Sequence, residues 1–494
     1  MLAGDNMSPR LMISAPSGRS GKTIVSIGIC WAMRRHGLSV QSFKKGPDYI
    51  DPSWLTLATG RSSRNLDSFL IPKDKLVLSF QQAMQGADIG LVEGAMGLYD
   101  GLDREDNGTT ADLAKLLNSP IILVVNAARM TSSIAAMVAG YQRFQPDVPI
   151  AGVILNQVSG KRHEEKLRGA VEQYCSIPVV GSIPRDPDLH IGERHLGLTP
   201  TAESTEAESF VHRIGSMMES CLDLENILKI ANNRRDSLSP PGKEPERDWQ
   251  PSGEELVSPN GLSDRRCKGA WKKKASVKIG VLRDRAFHFY YPENLEALEN
   301  AGAELIFIDS FRDRLPADIG GLYIGGGFPE LFLEALEGNR VLRQEIANAI
   351  EEYLPVYAEC AGLMYLGRGI RSNGKYGEMV GSIPADVEME RRPQGHGYVE
   401  VEVVRENPLF PVGLRLRGHE FHHSRLVHLG DLQGIYKIYR GKGLDGKTDG
   451  LVYKNVFAAY THLHALGVPQ WAEGFISLAL RQQKSQTLQS TSEA

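Results

Sequence analysis

Short apolar runs alternate with helical patterns along most of this chain, and they do so in two separate blocks. The apolar runs of the first block lie at 38–43, 89–93, 121–126, 151–156 and 179–183. Those of the second block lie at 277–282, 303–309, 322–324 and 354–360. Apolar strands separated by helices are typical of a parallel sheet covered by helices on both faces. The sequence therefore predicts the α/β class, with two doubly wound domains.

The boundaries follow from changes in composition. We expect a first domain at 10–232 and a second at 276–481. Between them, 233–275 is rich in Pro, Ser, Gly and charged residues and poor in aliphatic residues, which predicts a flexible linker. The polar segment 482–494 is predicted to be a disordered tail.

A glycine-rich loop separates the first strand of the chain from the first helix. The loop reads APSGRSGKT from Ala15 to Thr23, and a helical pattern follows it. Loops of this kind present backbone N–H groups and a helix N-terminus to phosphate. Pro16 stands where the strict motif has glycine. The ATP-binding residues that we predict are Gly18, Ser20, Gly21, Lys22 and Thr23, with Lys22 on the β/γ-phosphates and Thr23 on Mg²⁺.

Charged residues follow the next two strands of the first domain. Two lysines and two acids, Asp48 and Asp51, follow the second strand, and Glu93 ends the next apolar run. Ligands of doubly wound sheets gather at the carboxyl edge of the strands. The pattern therefore favours a metal–phosphate site with Thr23, Glu93 and either Asp48 or Asp51 as metal ligands, Asp48 being the first choice.

In the second domain an apolar run ends in Cys360, and Ala361 and Gly362 open a helical pattern. A strand-to-helix elbow of this kind exposes a nucleophile and aims backbone N–H groups at its substrate. The glycines of GGGFPE, from Gly325 to Glu330, offer further oxyanion-binding N–H groups, and a histidine-rich stretch downstream offers a base. Together these segments resemble a class I glutamine amidotransferase, with Cys360 as nucleophile.

An ordered set of motifs extends this resemblance over nearly the whole chain. It is similar to the cobyrinate/cobyrate synthase family, which amidates corrin side chains with ATP and glutamine. The segments that carry the similarity are SGRSGKT (17–23), KKGPDYIDP (44–52), TGRSSRNLD (59–67), VEGAMGLYDG (92–101), GERHLGL (192–198), YYPEN (290–294), GGGFPE (325–330), YAECAGLMY (357–365) and AYTHLH (459–464).

The resemblance implies a dethiobiotin-synthetase-like ATP domain, a glutaminase domain, and Mg²⁺ as cofactor. It assigns Cys360 and His462 to catalysis, with His464 as the alternative base. Gly326 and Ala361 are the implied oxyanion donors. No glutamate follows His462 at the usual spacing, so no third triad member is assigned.

For the substrate, the implied reaction is amidation of the a and c acetate side chains of cobyrinate, through acyl phosphates and glutamine-derived ammonia. The implied substrate-side residues are Lys45, Asp48, Asp51 and Asp100. Amidation of another tetrapyrrole carboxylate, in nickel-sirohydrochlorin or siroheme, stays open, as does the four-fold amidation of cobyrate synthases. A different class also stays open, a P-loop ATPase scaffold with an inert amidotransferase domain.

Composition limits the partners and the location. The net charge is −4, which argues against a nucleic-acid partner, and no apolar run reaches the roughly 18 residues of a membrane helix. The five cysteines lack the paired spacing of disulfide or zinc frameworks. We therefore expect a soluble cytoplasmic enzyme without a membrane or nucleic-acid partner, and a homodimer is left open.

Overall fold

A computed structural model describes residues 8–102, 108–186, 193–194, 197–232 and 277–492. The chain divides into two compact units, Met1–Glu244 and Pro245–Ala494. The predicted linker at 233–275 lies outside the described residues. None of the helices in the described part of the chain combines the length and apolarity that a membrane crossing needs.

The first unit is built on a seven-stranded parallel sheet with the order β3-β2-β4-β1-β5-β6-β7, and a two-stranded ladder, β8-β9, stands apart from it. The strands are β1 Arg10–Ser14, β2 Val40–Lys45, β3 Arg64–Leu66, β4 Ile89–Glu93, β5 Ile121–Asn126, β6 Ile150–Val158, β7 Val179–Pro184, β8 Glu193–Arg194 and β9 Gly197–Leu198. The predicted parallel sheet is confirmed. Its strands β2, β4, β5, β6 and β7 overlap the apolar runs, and β1 is the strand predicted before the glycine-rich loop. Strand β1 lies between β4 and β5, and the later strands are added to the sheet on both sides of it. Ligands of doubly wound sheets bind at such a topological switch point.

Helices connect these strands. They are α1 Lys22–Arg35, α2 Ile50–Thr59, α3 Lys73–Ala83, α4 Thr110–Leu116, α5 Ser133–Phe144, α6 Lys161–Cys175, α7 Ala207–Cys221 and α8 Leu224–Asn232. The helices α1, α2 and α7 pack against one another, and α5 packs against α6. Since α1 begins at Lys22, directly after the glycine-rich loop, its N-terminus faces the carboxyl edge of the sheet.

The second unit contains a six-stranded sheet with the order β12-β10-β13-β15-β25-β24, parallel except for the last strand. Three antiparallel or mixed sheets join it, β17-β16-β18-β21, β23-β22-β19-β20-β26 and β11-β14. The strands are β10 Val277–Leu282, β11 Phe287–Phe289, β12 Ala303–Ile308, β13 Gly321–Ile324, β14 Gly326–Gly327, β15 Val356–Glu359, β16 Gly369–Ser372, β17 Lys375–Glu378, β18 Asp386–Met389, β19 Gly395–Val403, β20 Arg415–His422, β21 Ser424–Val427, β22 Tyr436–Arg440, β23 Thr448–Asp449, β24 Leu451–Tyr453, β25 Val456–Ala459 and β26 His462–Leu463. The strands from β16 to β23 are an addition that the sequence patterns do not predict.

The helices of this unit are α9 Pro292–Ala301, α10 Leu333–Gly338, α11 Arg340–Glu351, α12 Ala361–Leu366 and α13 Gln470–Ser492. Aromatic residues fill the core between the central sheet and α13, where Trp471 meets the ring of Tyr357 at 5.1 Å. Helix α13 continues through 482–492, where the composition predicts a disordered tail. Two features hold this helix in place: its first part is buried, and the Gln482 side chain donates a hydrogen bond to the carbonyl of Glu352.

Two glycines allow α1 and α7 to approach closely in the first unit. A Cβ atom at Gly28 would lie 2.1 Å from Cγ of Met218, and one at Gly215 would lie 2.2 Å from the ring of Trp31. Distances this short force neighbouring atoms to move, which costs about 1–3 kcal/mol in a packed core.

We therefore expect Gly28→Ala to lower the free energy of unfolding by about 1–3 kcal/mol. Gly140, exposed on α5 with no atom near its virtual Cβ, provides the matched control, and Gly140→Ala should raise stability by about 0.5–1 kcal/mol. Urea unfolding of the two variants measures both values. Equal effects of the two substitutions would contradict the close packing of α1 on α7.

Candidate active sites

The phosphate loop of the first unit depends on a glycine at its end. Gly21 has a φ of 94° and caps α1, a conformation that favours glycine. A Cβ atom there would lie 2.3 Å from Nδ2 of Asn156, which donates a hydrogen bond of 2.9 Å to the carbonyl of Ser20. The loop conformation is therefore fixed by Asn156 on β6, and it tolerates Pro16, whose carbonyl accepts from the Tyr141 hydroxyl.

Lys22 lies inside this loop. Its Nζ donates to the carbonyls of Ser17 at 3.2 Å and Met96 at 2.6 Å. Burial, followed by repulsion from Lys44, lowers the pKa of Lys22 to about 8. Two carbonyl oxygens hold the Lys22 ammonium, and no carboxylate of the described residues contacts it directly. Its charge is therefore available for an anion. Of the other predicted loop residues, Ser20 donates to the Ser17 carbonyl, and the space around Gly18 is open.

Thr23, Asp51 and Glu93 meet at the carboxyl edge of the sheet. The Thr23 hydroxyl donates to Oε1 of Glu93 at 2.7 Å and lies 3.4 Å from Oδ2 of Asp51. Lys44 completes the cluster, with Nζ 2.5 Å from Oδ2 of Asp51 and 2.8 Å from Oε1 of Glu93. The structure thus brings Asp51, the alternative metal ligand, next to Thr23 and Glu93.

Asp48, the first choice as metal ligand, has a different role in the structure. Its Oδ1 accepts the backbone N–H groups of Ile50 and Asp51, so that it caps the start of α2. Its other oxygen lies 3.9 Å from Nζ of Lys44. Removal from water, together with repulsion from Asp51, raises the pKa of Asp48 to about 7.

The charges in the cluster are strongly coupled. Burial opposes the charge of Lys44, but the carboxylates of Asp51 and Glu93 outweigh it and raise the pKa of Lys44. Burial raises the pKa of Glu93, whereas Lys44 overcomes burial at Asp51 and lowers the pKa of that carboxyl. Asp51 is therefore the member of the cluster that most readily stays ionised.

The donor set fits Mg²⁺, the metal that the fold family implies. The Glu93 side chain is fully buried, and its Oε2 has no hydrogen-bond partner among the described residues. Carboxylate and hydroxyl oxygens are the ligands that Mg²⁺ prefers, and the metal usually keeps several waters and contacts nucleotide phosphates. Thr23, Asp51 and Glu93 are the residues that would hold it.

Asp100 and Lys45, both predicted on the substrate side, lie near the same edge. Oδ2 of Asp100 accepts the N–H of Gly97, in the loop after β4. Lys45 is largely buried, and burial lowers its pKa. The sequence analysis placed both lysines at this edge but gave a role only to Lys45. Strand alternation places Lys44 and Lys45 on opposite sides of β2.

The elbow of the second unit has the geometry of a strained nucleophile. Cys360 has φ 48° and ψ −98°, between the end of β15 and the start of α12. The N–H of Gly362 donates to the carbonyl of Gly325 at 3.1 Å, and a Cβ at Gly362 would lie 2.3 Å from the carbonyl oxygen of Ile324. Only glycine therefore allows the elbow to approach the preceding strand so closely.

His462 lies beside the glycine segment next to this elbow. A Cβ atom at Gly326 would be 2.7 Å from Cε1 of His462. Oε2 of Glu359, the residue before the cysteine, lies 3.4 Å from Nδ1 of His462. Sequence reasoning assigned no acid to this histidine. The only available signal was that Glu359 precedes the nucleophile in the motif.

His464, the alternative base, has other surroundings. Its ring packs against Tyr291 at 4.6 Å, its Nδ1 accepts the N–H of Leu466, and its Nε2 lies 3.8 Å from Oε2 of Glu293. The side chain is completely buried. These contacts are those of a packing residue, so the geometry favours His462.

The Cys360 thiol and the predicted oxyanion donors suit attack of a thiolate on a carboxamide. Burial, followed by the charge of Glu330, raises the pKa of the Cys360 thiol, while the N–H of Ala361 favours its thiolate. The sulfur also lies 3.8 Å from the carbonyl oxygen of Phe421. A thiol of this kind needs a base to become a nucleophile. Gly326 and Ala361 flank it and carry the predicted donor N–H groups.

Comparisons with known proteins agree with this division of the chain. Residues 11–198 match the family described as the CobQ/CobB/MinD/ParA nucleotide binding domain, and residues 278–469 match the CobB/CobQ-like glutamine amidotransferase domain. The chain accordingly has a nucleotide-binding domain followed by a glutamine amidotransferase domain.

Three curated relatives share the name cobyrinate a,c-diamide synthase. The relative from Magnetococcus marinus is 42% identical over 465 residues, which cover 94% of this chain and 96% of that protein. The relative from Archaeoglobus fulgidus is 38% identical, covering 96% and 98%. The relative from Dehalococcoides mccartyi strain 195 is 39% identical, covering 95% and 98%. With this identity over nearly the full length, the chain belongs to the cobyrinate a,c-diamide synthase family.

Proposed function

We propose that this enzyme amidates the a and c acetate side chains of cobyrinate in cobalamin biosynthesis, using ATP and glutamine. The observation that carries the proposal is the presence, in one chain, of a phosphate loop with Lys22 and a cysteine elbow with His462 beside it. The name that the relatives share supplies the substrate. The proposal includes a cytoplasmic location, where glutamine, ATP and reduced thiols occur together.

The first half-reaction releases ammonia from glutamine. His462 takes the thiol proton of Cys360, and the thiolate attacks the carboxamide carbon. The N–H groups of Gly326 and Ala361 stabilise the oxyanion that forms. As the tetrahedral intermediate collapses, His462 returns the proton to the leaving nitrogen, so that ammonia and a thioester result. Water then hydrolyses the thioester to glutamate and the free thiol.

The second half-reaction activates the carboxylate. A carboxylate oxygen of the substrate attacks the γ-phosphorus of ATP, and ADP leaves. Lys22 offsets the negative charge that develops on the transferred group. Ammonia then attacks the acyl phosphate and expels inorganic phosphate, which leaves the amide. Bound at Thr23, Asp51 and Glu93, Mg²⁺ would supply further charge neutralisation at the phosphates.

Lys45, Asp48 and Asp100 are proposed to face the tetrapyrrole carboxylate substrate. Lys45 offers a positive charge for the propionate or acetate groups; burial lowers its pKa, and a bound carboxylate would favour its charged form. Asp100 lies in the loop after β4, within reach of the same edge of the sheet.

The substrate is tested by mass spectrometry of products after incubation with ATP, Mg²⁺ and glutamine. With cobyrinate as substrate, we expect the ring to change mass twice in succession, and each change should correspond to the conversion of one carboxylic acid to an amide. Amidation of nickel-sirohydrochlorin or siroheme derivatives alone would contradict the choice of ring. Four conversions on a corrin would indicate a cobyrate synthase. Glutamine hydrolysis without any amidated ring would favour a scaffold.

For the glutaminase site we expect Cys360→Ala to abolish glutamine-dependent amidation, by about a thousandfold or more, and to leave activity with free ammonia. The reason is that the cysteine acts only on glutamine, whereas the ATP chemistry belongs to the other unit. Steady-state rates with the two nitrogen donors measure the difference. Cys221→Ala, a half-buried cysteine of the first unit, is the control and should keep both activities. Equal loss with both donors in a folded Cys360→Ala protein would overturn the assignment.

For the ATP site we expect the opposite pattern. Lys22→Ala and Glu93→Ala should each lower amidation about a thousandfold or more with either donor, because charge stabilisation at the phosphates is lost. Glutamine hydrolysis, measured alone, reports whether the second unit stays folded, and urea unfolding reports whether the first unit, which carries both substitutions, does so. Lys73→Ala, which removes an exposed lysine from α3, is the control for loss of charge. Near-normal amidation by either variant would remove that residue from the ATP site.

A further inference from the structure

Glu359 is a buried carboxylate with four polar neighbours. Its side chain is 1% exposed. Oε1 accepts the Tyr357 hydroxyl at 2.9 Å and the N–H of Leu463 at 3.1 Å, and Oε2 accepts the Tyr323 hydroxyl at 3.2 Å. The fourth neighbour is Nδ1 of His462, 3.4 Å from Oε2. Three donors hold the carboxylate in place, and it in turn faces the imidazole.

This arrangement decides which nitrogen of His462 faces the carboxylate. Nδ1 is turned toward Glu359, and the Cε1 edge between the two nitrogens faces Gly326. A carboxylate beside Nδ1 favours the tautomer that carries its proton there, which puts the basic lone pair on Nε2. Nε2 is therefore the nitrogen that can take the thiol proton of Cys360.

A positive charge on His462 needs a counter-charge that its ring neighbour does not provide. The ring of His419 stacks on that of His462, with centroids 4.8 Å apart and planes 20° apart. Burial, followed by His462 and His464, holds the pKa of His419 well below its usual range, so His419 stays neutral. Glu359 is the negative group placed to balance the imidazolium.

The position two residues after His462, where an acid is common in related active sites, holds His464. That histidine packs on Tyr291 and approaches Glu293. The acid that orients the base therefore comes from another place in this chain.

We infer that Glu359, the residue before the nucleophile, is the positioning residue that orients His462 and faces its Nδ1 with a carboxylate during proton transfer. The inference rests on the proposed glutaminase role of Cys360 and His462. The acid is the last residue of β15, and the cysteine follows it directly. The end of this one strand therefore places both the nucleophile and the carboxylate that sets the tautomer of its base.

Substitution by glutamine tests the carboxylate without changing its size. In Glu359→Gln the amide oxygen can still accept from Tyr357 and Leu463, which leaves the NH₂ group to face His462. An NH₂ donor toward Nδ1 favours the wrong tautomer, with the proton on Nε2. We expect kcat for glutamine hydrolysis to fall on the order of a hundredfold near pH 7, with little change in KM for glutamine. Amidation with free ammonia should be unchanged.

The pH profile separates positioning from a structural role. Without a working base, attack must wait for a thiolate formed by solvent, and burial raises the thiol pKa. Burial is the largest cause of the raised thiol pKa, and the charge of Glu359, which the substitution removes, is a smaller one. The acidic limb of glutamine hydrolysis in Glu359→Gln should therefore still move to higher pH, toward the range of the buried thiol. Alkylation of Cys360 by iodoacetamide, followed by peptide mass spectrometry, should show the same shift without turnover.

Two matched variants act as controls. Tyr357→Phe removes one donor to Glu359 but keeps the carboxylate, and its kcat should stay within about threefold of the parent. Asp449→Asn weakens the buried carboxylate that accepts N–H groups from Tyr460 and Thr461, in the segment leading to His462. It should lower stability, and because the charge of Asp449 helps to raise the thiol pKa, any movement of the acidic limb should be to lower pH, opposite to that of Glu359→Gln.

The outcomes distinguish the inference from the proposed function. A Glu359→Gln protein with kcat within about threefold of the parent and an unmoved acidic limb overturns the inference, while Cys360→Ala still tests the glutaminase. Glutamine hydrolysis that survives Cys360→Ala overturns the proposed function itself. If Glu359→Gln does not fold, Glu359→Asp carries the test. Its shorter carboxylate should lower kcat about tenfold or more, and an unchanged kcat would overturn the inference.

Discussion

The register of parallel strand pairs decides which side chains can meet in this protein. In the first unit, Lys44 of β2 pairs with Glu93 of β4, and Glu93 in turn pairs with Ile13 of β1. In the second, Glu359 of β15 pairs with Ala459 of β25, three residues before His462. A slip of one residue would turn every side chain of a strand to the opposite face. The charge cluster and the base of the thiol both depend on these registers, which the buried apolar residues of each strand fix.

The charge balance of the first unit suits the cation and the phosphate anion that are proposed to bind together at its edge. Lys44 contacts both carboxylates, those of Asp51 and Glu93, but can neutralise only one of them. Oε2 of Glu93 has no hydrogen-bond partner among the described residues. Lys22 points instead at the carbonyls of the loop. A divalent cation complements the carboxylates, and the phosphates that accompany it complement Lys22. Breaking the cluster by removing one partner would leave a buried charge uncompensated, which commonly costs about 3–5 kcal/mol.

Sequence patterns predicted the parts of the fold that apolar periodicity encodes. The loop, its helix and the central strands follow from local residues, and so does the cysteine elbow. The strand Arg64–Leu66 was missed because it has a single apolar residue. The strands from β16 to β23 were missed because they lack a continuous apolar run; β19, for example, alternates buried and less buried residues along much of its length. The linker prediction falls on residues that the structure does not describe.

The missed site residues have a different cause. Lys44 and Lys45 are adjacent, and alternation sends them to opposite faces, but a single sequence does not say which face meets Glu93. Glu359 contacts Leu463, a partner 104 positions away along the chain. Such a contact arises only after two strands have paired. The residues that local motifs identify are those proposed to contact substrate, whereas the residues that orient them depend on the tertiary fold.

The elbow conformation links the remaining properties of the glutaminase site. A residue such as Cys360 at φ 48° costs about 1–3 kcal/mol and persists because its surroundings hold it. Its N–H donates to Ala459, Gly362 donates to Gly325, and α12 is buried along its whole length. The burial that supports the strain also removes the thiol from water and raises its pKa. The elbow geometry alone would therefore leave a thiol that is too weakly acidic to react. The strand that leads into the elbow also places Glu359 beside His462, and the base oriented in this way can remove the thiol proton.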